Sequence, residues 1–317
     1  MQYVRQARRG ILVFMAVLTA ITFLSLWLSF RVPSPRLASV AFPMLMTTIF
    51  SYSPALASLI ARMSLRESIQ DISFRLQGNW TATAMLIAWL WPVFCGLGTY
   101  GVAWLAGHTH FAWTSVDSDY GTWGPENLVG LSIAGLPVSR GFALRLLACL
   151  FFSIPACMQS FGEEVGWRGY LLTRLFDAKV PAPIFWNGLI WGLWHVPFFL
   201  AWVPSRSLPE RRSVSIFFFV ASTVALAYLF SYLRLRSGSI WPAVLAHPSG
   251  NTILLFAFDG FTVASPFWKG ELRLLSTGLP VLMLLLLRQP WIVRYWPQRS
   301  SDPGGDIASS DTLPSPS

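Results

Sequence analysis

Apolar residues run along this chain in long blocks that no regular polar face interrupts. An amphipathic helix of a soluble protein brings a polar position back on every turn. Here windows of roughly 20 residues pass with few charges, enough helix to cross a hydrocarbon core about 30 Å thick. The blocks fall at about 10–30, 37–61, 81–106, 140–162, 183–203, 213–233, 239–259 and 271–288. They predict an all-α, polytopic membrane protein of about eight transmembrane helices.

Composition agrees with the pattern. Of 317 residues, 54% are hydrophobic and 12% charged, and the mean hydropathy is +0.53. A soluble domain carries roughly 25% charged residues. The excess of Lys and Arg, 23 against 14 acids, forms no single basic patch, so it orients the protein in a bilayer and excludes nucleic acid as a partner. The stretch between the third and fourth blocks, "GHTHFAWTSVDSDYGTWGPENLVGLSIAGLPVS", has no Lys or Arg and is expected outside, with His108 and His110 solvated in it. The first block follows Arg5, Arg8 and Arg9, is too long for a signal peptide and lacks an A-x-A-like cleavage site. It is read as an uncleaved span, with both termini cytoplasmic and the protein in the cell membrane. Cys95, Cys149 and Cys157 lie in or beside apolar blocks without a CxxC spacing and are expected to be reduced. The Ser-, Pro- and Gly-rich end, residues 291–317, cannot bury a core and is expected to be a disordered cytoplasmic tail.

Against this background a few polar residues are out of place. An ionised side chain deep in a bilayer costs roughly 2.5–3.5 kcal/mol even on a lenient scale, so intramembrane charges face partners or water-filled cavities. Glu163, Glu164 and Arg168 stand in "SFGEEVGWRGYLL", near the cytoplasmic end expected for the fourth span. His195 stands in "WGLWHVPFF", and His247 and Asn251 in "VLAHPSGNTILLF". Residues four apart share a helix face. Glu164 with Arg168, Trp191 with His195, and His247 with Asn251 therefore place one polar cluster on each of three helices, at depths that let them meet in an intramembrane polar cavity open to the cytoplasm. A structural clamp needs one acid. Two adjacent buried acids with one guanidinium leave a carboxylate ready to take up a proton, as a general base must.

These residues follow the forms E-E-x-x-x-R, aromatic-x-x-x-H and H-x-x-x-N, in that order. The set resembles the CPBP intramembrane proteases, the family of the type II CAAX prenyl endopeptidases and of bacterial relatives linked to bacteriocin self-immunity. The resemblance covers roughly Phe161 to Leu254, and "GEEVGWRGYLL" is its specific part. It implies an intramembrane endopeptidase whose substrate is a peptide or protein at or in the membrane. Glu163 would activate a water and His195 would help hold it. His247 and Asn251 would donate to the tetrahedral oxyanion. Glu164 and Arg168 would hold the geometry, or Arg168 would engage a substrate carboxylate. The chain divides accordingly into N-terminal transmembrane helices and outer loop (1–139), catalytic core (140–260), last transmembrane helix (261–290) and tail (291–317). Trp191 departs from the family's phenylalanine, keeping an aromatic wall but reshaping the pocket. Pro248 and Gly250 weaken the helix around His247 and Asn251, so a distorted turn is expected there.

Glu163, His195 and His247 would also make the two-histidine, one-carboxylate set that suits zinc or another divalent metal. The same residues suit a metal-free route in which the glutamate handles water directly; that route is preferred, with the cofactor left open. Two other classes compete: a proton-coupled transporter, since Glu, His and Arg also build proton relays, and a catalytically silent immunity or scaffold protein. The inverted repeats with broken helices that mark many carriers are not found. The oligomeric state and the identity of the substrate are not legible.

Overall fold

The computed structural model describes residues 2–31, 41–76, 79–113, 141–202 and 209–286. The expected tail, and the part of the outer loop from 114 to 140, lie outside the described residues. The apolar blocks form α1 (Gln2–Arg31), α2 (Ala41–Leu65), α3 (Asn79–Gly96), α4 (Phe142–Gly166), α5 (Pro183–Trp202), α6 (Pro209–Ser237), α7 (Trp241–Gly250) and α8 (Pro266–Leu286). Three of them continue through π-helical segments: α3 through Leu97–Gly101 into Val102–Leu105, α4 through Trp167–Leu171 into Leu172–Asp177, and α7 through Asn251–Phe258. The protein is thus an all-α membrane protein. Gln2–Leu28, Trp80–Leu105, Phe142–Asp177 and Ser213–Ser237 are each long and apolar enough to cross a bilayer.

Two details differ from the sequence reading. The fourth block continues past 162 as one rod to Asp177, so Glu163, Glu164 and Arg168 lie within a helix instead of at its end. The rod can carry them because each charge meets a partner inside the bundle, which removes most of the penalty that would otherwise break the span. His110 belongs to a two-residue strand, β1 (His110–Phe111), paired antiparallel with β2 (Thr262–Val263), while its side chain is exposed as expected.

The bundle inverts the polarity of a soluble fold. Leu105, Met158, Leu285 and Leu286 are exposed, while Glu164, Arg168 and Asn187 are completely buried. With no hydrophobic effect to press helices together in lipid, close packing and internal hydrogen bonds must hold them. Two glycine pairs at i,i+4 spacing supply the packing. A Cβ at Gly162 would lie 2.7 Å from the Ser51 carbonyl oxygen and one at Gly166 would lie 2.3 Å from Pro54, so this stripe seats α4 against α2. A Cβ at Gly188 would lie 2.7 Å from the Cα of Val224 and one at Gly192 would lie 2.3 Å from Thr223 Oγ1, seating α5 against α6. Hydrogen bonds tie α4 to α7: Ser160 Oγ donates to the Val244 carbonyl (2.8 Å) and Thr252 Oγ1 to that of Cys149 (3.1 Å).

The π-turn that contains Arg168 departs from the regular ladder, and side chains from neighbouring elements add hydrogen bonds to its carbonyls. Arg62 Nη2 on α2 donates to the Gly169 carbonyl (2.9 Å), and Asn187 Nδ2 on α5 to that of Trp167 (3.0 Å). Beyond the turn Arg174 is ringed by acids. Its Nε and Nη2 donate to Glu67 Oε2 (3.1 and 2.9 Å), and its Nη1 lies 2.9 Å from Asp177 and 3.1 Å from Asp71. Arg62 pairs with Asp71 at 2.6 Å. This ion network anchors the end of the α4 rod to the segment that follows α2.

Candidate active site

The polar stripe of α4 recurs every four residues as Ser160, Glu164 and Arg168. Glu164 sits at its centre, where Oε1 accepts from Arg168 Nη1 (3.0 Å) and from His247 Nδ1 on α7 (2.8 Å). A carboxylate accepting from Nδ1 fixes the ring, directing Nε2 away from Glu164. The Arg168 guanidinium is sealed. Its Cζ lies 4.3 Å from the centroid of the Trp191 ring and 5.0 Å from that of Phe230. Nothing of it is accessible, so the expectation that Arg168 engages a substrate carboxylate does not fit this position; among the described residues its ion pair is with Glu164.

Glu163 is one step round the helix and points elsewhere. Its Oε2 accepts from the indole Nε1 of Trp191 at 2.9 Å. Its Oε1 has no hydrogen-bond partner among the described residues, and it is not fully sealed. The same indole touches both imidazoles, with ring centroids 6.2 Å from His195 and 5.2 Å from His247. The Glu163 carboxylate is within electrostatic reach of both. Four side chains from three helices therefore gather around one ring.

His195 is half-buried in a cage of rings, with Trp194 at 4.6 Å, Phe219 at 5.0 Å and Phe50 at 5.8 Å. Its Nδ1 lies 3.0 Å from the Trp191 carbonyl, one turn back on α5. A carbonyl only accepts, so Nδ1 carries the hydrogen, and Nε2 of the neutral ring presents a lone pair. Asn251 is placed differently from the rest. The distortion expected beside Pro248 and Gly250 begins at Asn251 itself, the first residue of the π-segment. Its side chain is exposed and makes no hydrogen bond among the described residues, to His247 or otherwise.

The metal set expected of Glu163, His195 and His247 does not assemble. Among the described residues no three His, Cys, Asp or Glu side chains stand close enough to share an ion. Glu163 Oε2 and His247 Nδ1 are already engaged by Trp191 and Glu164. The three cysteines are free thiols, none of them near a ligand group of this kind.

Sequence reading missed three supporting residues. Trp191 was legible as a wall but not as a hydrogen-bond donor. Asn187 precedes Trp191 by one turn, a polar residue in an apolar helix and so a signal that was available. Arg62 gave no signal, since an arginine at the end of an apolar block ordinarily marks the membrane boundary.

Residues 143–253 match the family model described as Type II CAAX prenyl endopeptidase Rce1-like. That segment contains every charged side chain of the site, and no curated protein matches the chain. The match spans about a third of the chain and makes that segment similar, at the level of family, to the CAAX-protease-like intramembrane endopeptidases.

Proposed function

We propose that this member of the CAAX-protease-like group hydrolyses a peptide bond with a water activated by Glu163 and without an obligatory metal. The observation that carries the reading is the convergence of Glu163, His195 and His247 on the one indole of Trp191. The free Oε1 of Glu163 and the lone pair on His195 Nε2 are both acceptors, and a water has two hydrogens to donate to them. Held so, its oxygen lone pair is left for the scissile carbonyl. As the oxygen attacks, the O–H bond to Glu163 Oε1 breaks and the proton passes to the carboxylate. Breakdown of the tetrahedral intermediate returns that proton to the departing amine, so the glutamate is regenerated.

The oxyanion needs a donor. Glu163 and Glu164 against Arg168 leave one uncompensated negative charge, and a second proton on His247 makes the cluster neutral, the state a low-dielectric site favours. His247 then donates from Nδ1 to Glu164 and from Nε2 to the oxyanion. Glu164 and Arg168 orient it and touch no substrate. Asn251, exposed and unbonded, serves as an auxiliary donor to the same oxygen. The cytoplasmic orientation of both termini belongs to this proposal and opens the site toward peptides from that side.

The test is Glu163→Gln in the full chain reconstituted in bilayers, with cleavage followed by terminal proteomics of membranes. Loss of about 1,000-fold or more in rate with unchanged folding is expected. A carrier would instead lose flux while cleaving nothing in the parent form. Metal content of pure, active protein checks the metal-free route, which a stoichiometric ion required for activity would overturn.

A further inference from the structure

We infer that Trp191 is a positioning residue for the catalytic base: its indole N–H holds one oxygen of Glu163 so that the other faces the reacting water. The inference rests on the peptidase reading and deepens it.

The donor is unusually well fixed. Trp191 is 2% exposed and its ring is held on all sides, by the Arg168 guanidinium at 4.3 Å, Phe230 at 5.9 Å, His247 at 5.2 Å and His195 at 6.2 Å. An indole so enclosed cannot turn, and its single N–H points at Glu163 Oε2 from 2.9 Å. Glu163 has no other hydrogen-bond partner among the described residues. A glutamate has three side-chain torsions, and an unrestrained one would present either oxygen in many directions. With Oε2 engaged, Oε1 is the oxygen left for a proton, and its direction is set by the ring that also touches both histidines.

The backbone of the same residue acts as well. The Trp191 carbonyl receives His195 Nδ1 at 3.0 Å and thereby selects the tautomer with a lone pair on Nε2. One residue thus orients both groups that hold the water, the carboxylate through its side chain and the imidazole through its carbonyl. A phenylalanine at this position would keep the ring contacts and the carbonyl but could not donate. That isolates the N–H for testing.

The experiment uses the full chain in bilayers with Trp191→Phe and, by site-specific incorporation, Trp191→benzothienylalanine, which replaces the indole N–H by sulfur and keeps the bicyclic shape over Arg168. Both are expected to lower kcat by about 10- to 100-fold, the scale of a small misplacement of a reacting group, while KM changes less than about twofold. Ultraviolet resonance Raman of the indole N–H gives a readout independent of turnover: difference spectra of parent minus Trp191→Phe report a hydrogen-bonded indole, and Glu163→Ala shifts that band to the unbonded position. If the benzothienyl protein cleaves at the parent's rate while Glu163→Gln is inactive, the positioning role is overturned and the peptidase reading survives. If Glu163→Gln cleaves at the parent's rate, the peptidase reading fails instead, and with it the catalytic meaning of the indole. A Raman band unmoved by Glu163→Ala overturns the positioning role whatever the rates.

Discussion

Two buried charge clusters sit on the α4 rod, and their guanidinium groups are held in different ways. Around Arg174, beyond the π-turn, all three guanidinium nitrogens meet carboxylates from Glu67, Asp71 and Asp177. Around Glu164, before the turn, the Arg168 guanidinium meets a carboxylate through Nη1 alone, and Glu164 Oε2 and Arg168 Nε and Nη2 are sealed without a hydrogen-bond partner among the described residues. The first cluster borders a cleft of about 290 Å³ lined by Tyr3, Gln6, Ser68 and Gln70, where water can reach its rim. The Arg174 guanidinium is saturated and holds a shape, since any change costs a bond. That cluster nevertheless has sealed atoms without a hydrogen-bond partner among the described residues, Arg62 Nε and Tyr170 Oη, so unpaired groups do not by themselves separate the two. The sites share residue types; they differ in how the guanidinium is held, by three acids at Arg174 and by one at Arg168.

The contrast can be broken by substitution. The largest effect is expected from Arg168→Met, which leaves the Glu164 carboxylate sealed beside His247 alone. Removing one partner of a buried pair costs about 3–5 kcal/mol, to be read as a fall in the thermal midpoint of the purified protein together with loss of cleavage. The double variant Arg168→Met with Glu164→Gln should recover part of that stability and none of the activity. Recovery of activity would mean that Glu164 does not orient His247.

Arg174→Met should be milder, about 2–3 kcal/mol, because the acids it leaves unpaired lie close enough to the cleft to draw in water. The rate per folded molecule is expected to stay within about twofold of the parent. A kcat falling as far as in Arg168→Met would erase the distinction between the clusters. Gly166→Ala tests the seam that sets the α4 register. The added methyl would overlap Pro54, and overpacking of this kind costs about 1–3 kcal/mol, seen as a lower midpoint with activity retained at low temperature.

The smallest change is expected from Asn251→Ala. An exposed, unbonded side chain contributes less than about 0.5 kcal/mol to stability. As an auxiliary donor, its loss should slow cleavage by less than the roughly 100-fold typical of a principal oxyanion group. A full 100-fold drop would give Asn251 a rank equal to His247.

Much of the molecule was legible in the sequence because the bilayer restricts the choices so severely. A block of apolar residues about 20 long can only be helical in lipid, since every backbone donor and acceptor must be satisfied within the segment. The helices appear in the expected order for that reason. Boundaries moved where a charge misled. Glu163 looked like the end of a span because a lone carboxylate would be, and the partners that keep the acid pair inside, Trp191 for Glu163 and His247 for Glu164, come from α5 and α7. The glycine pairs Gly162–Gly166 and Gly188–Gly192 went unread in the sequence, and which helix each meets is decided by packing.

At the site, spacing sufficed to put Glu164 with Arg168 and to single out His195 and His247, since i,i+4 geometry is a property of one helix. Periodicity along one chain segment therefore determined fold class, membrane residence and the short set of residues that had to be explained. Tertiary packing alone decided that Glu164 pairs with His247 while Glu163 turns to Trp191, that Arg168 is completely buried, and that among the described residues no three ligand side chains gather for an ion. Those outcomes depend on the direction in which each side chain leaves its helix and on which neighbour waits there. Such directions are fixed by ångström-scale contacts between helices, and no pattern along a single strand of sequence carries them.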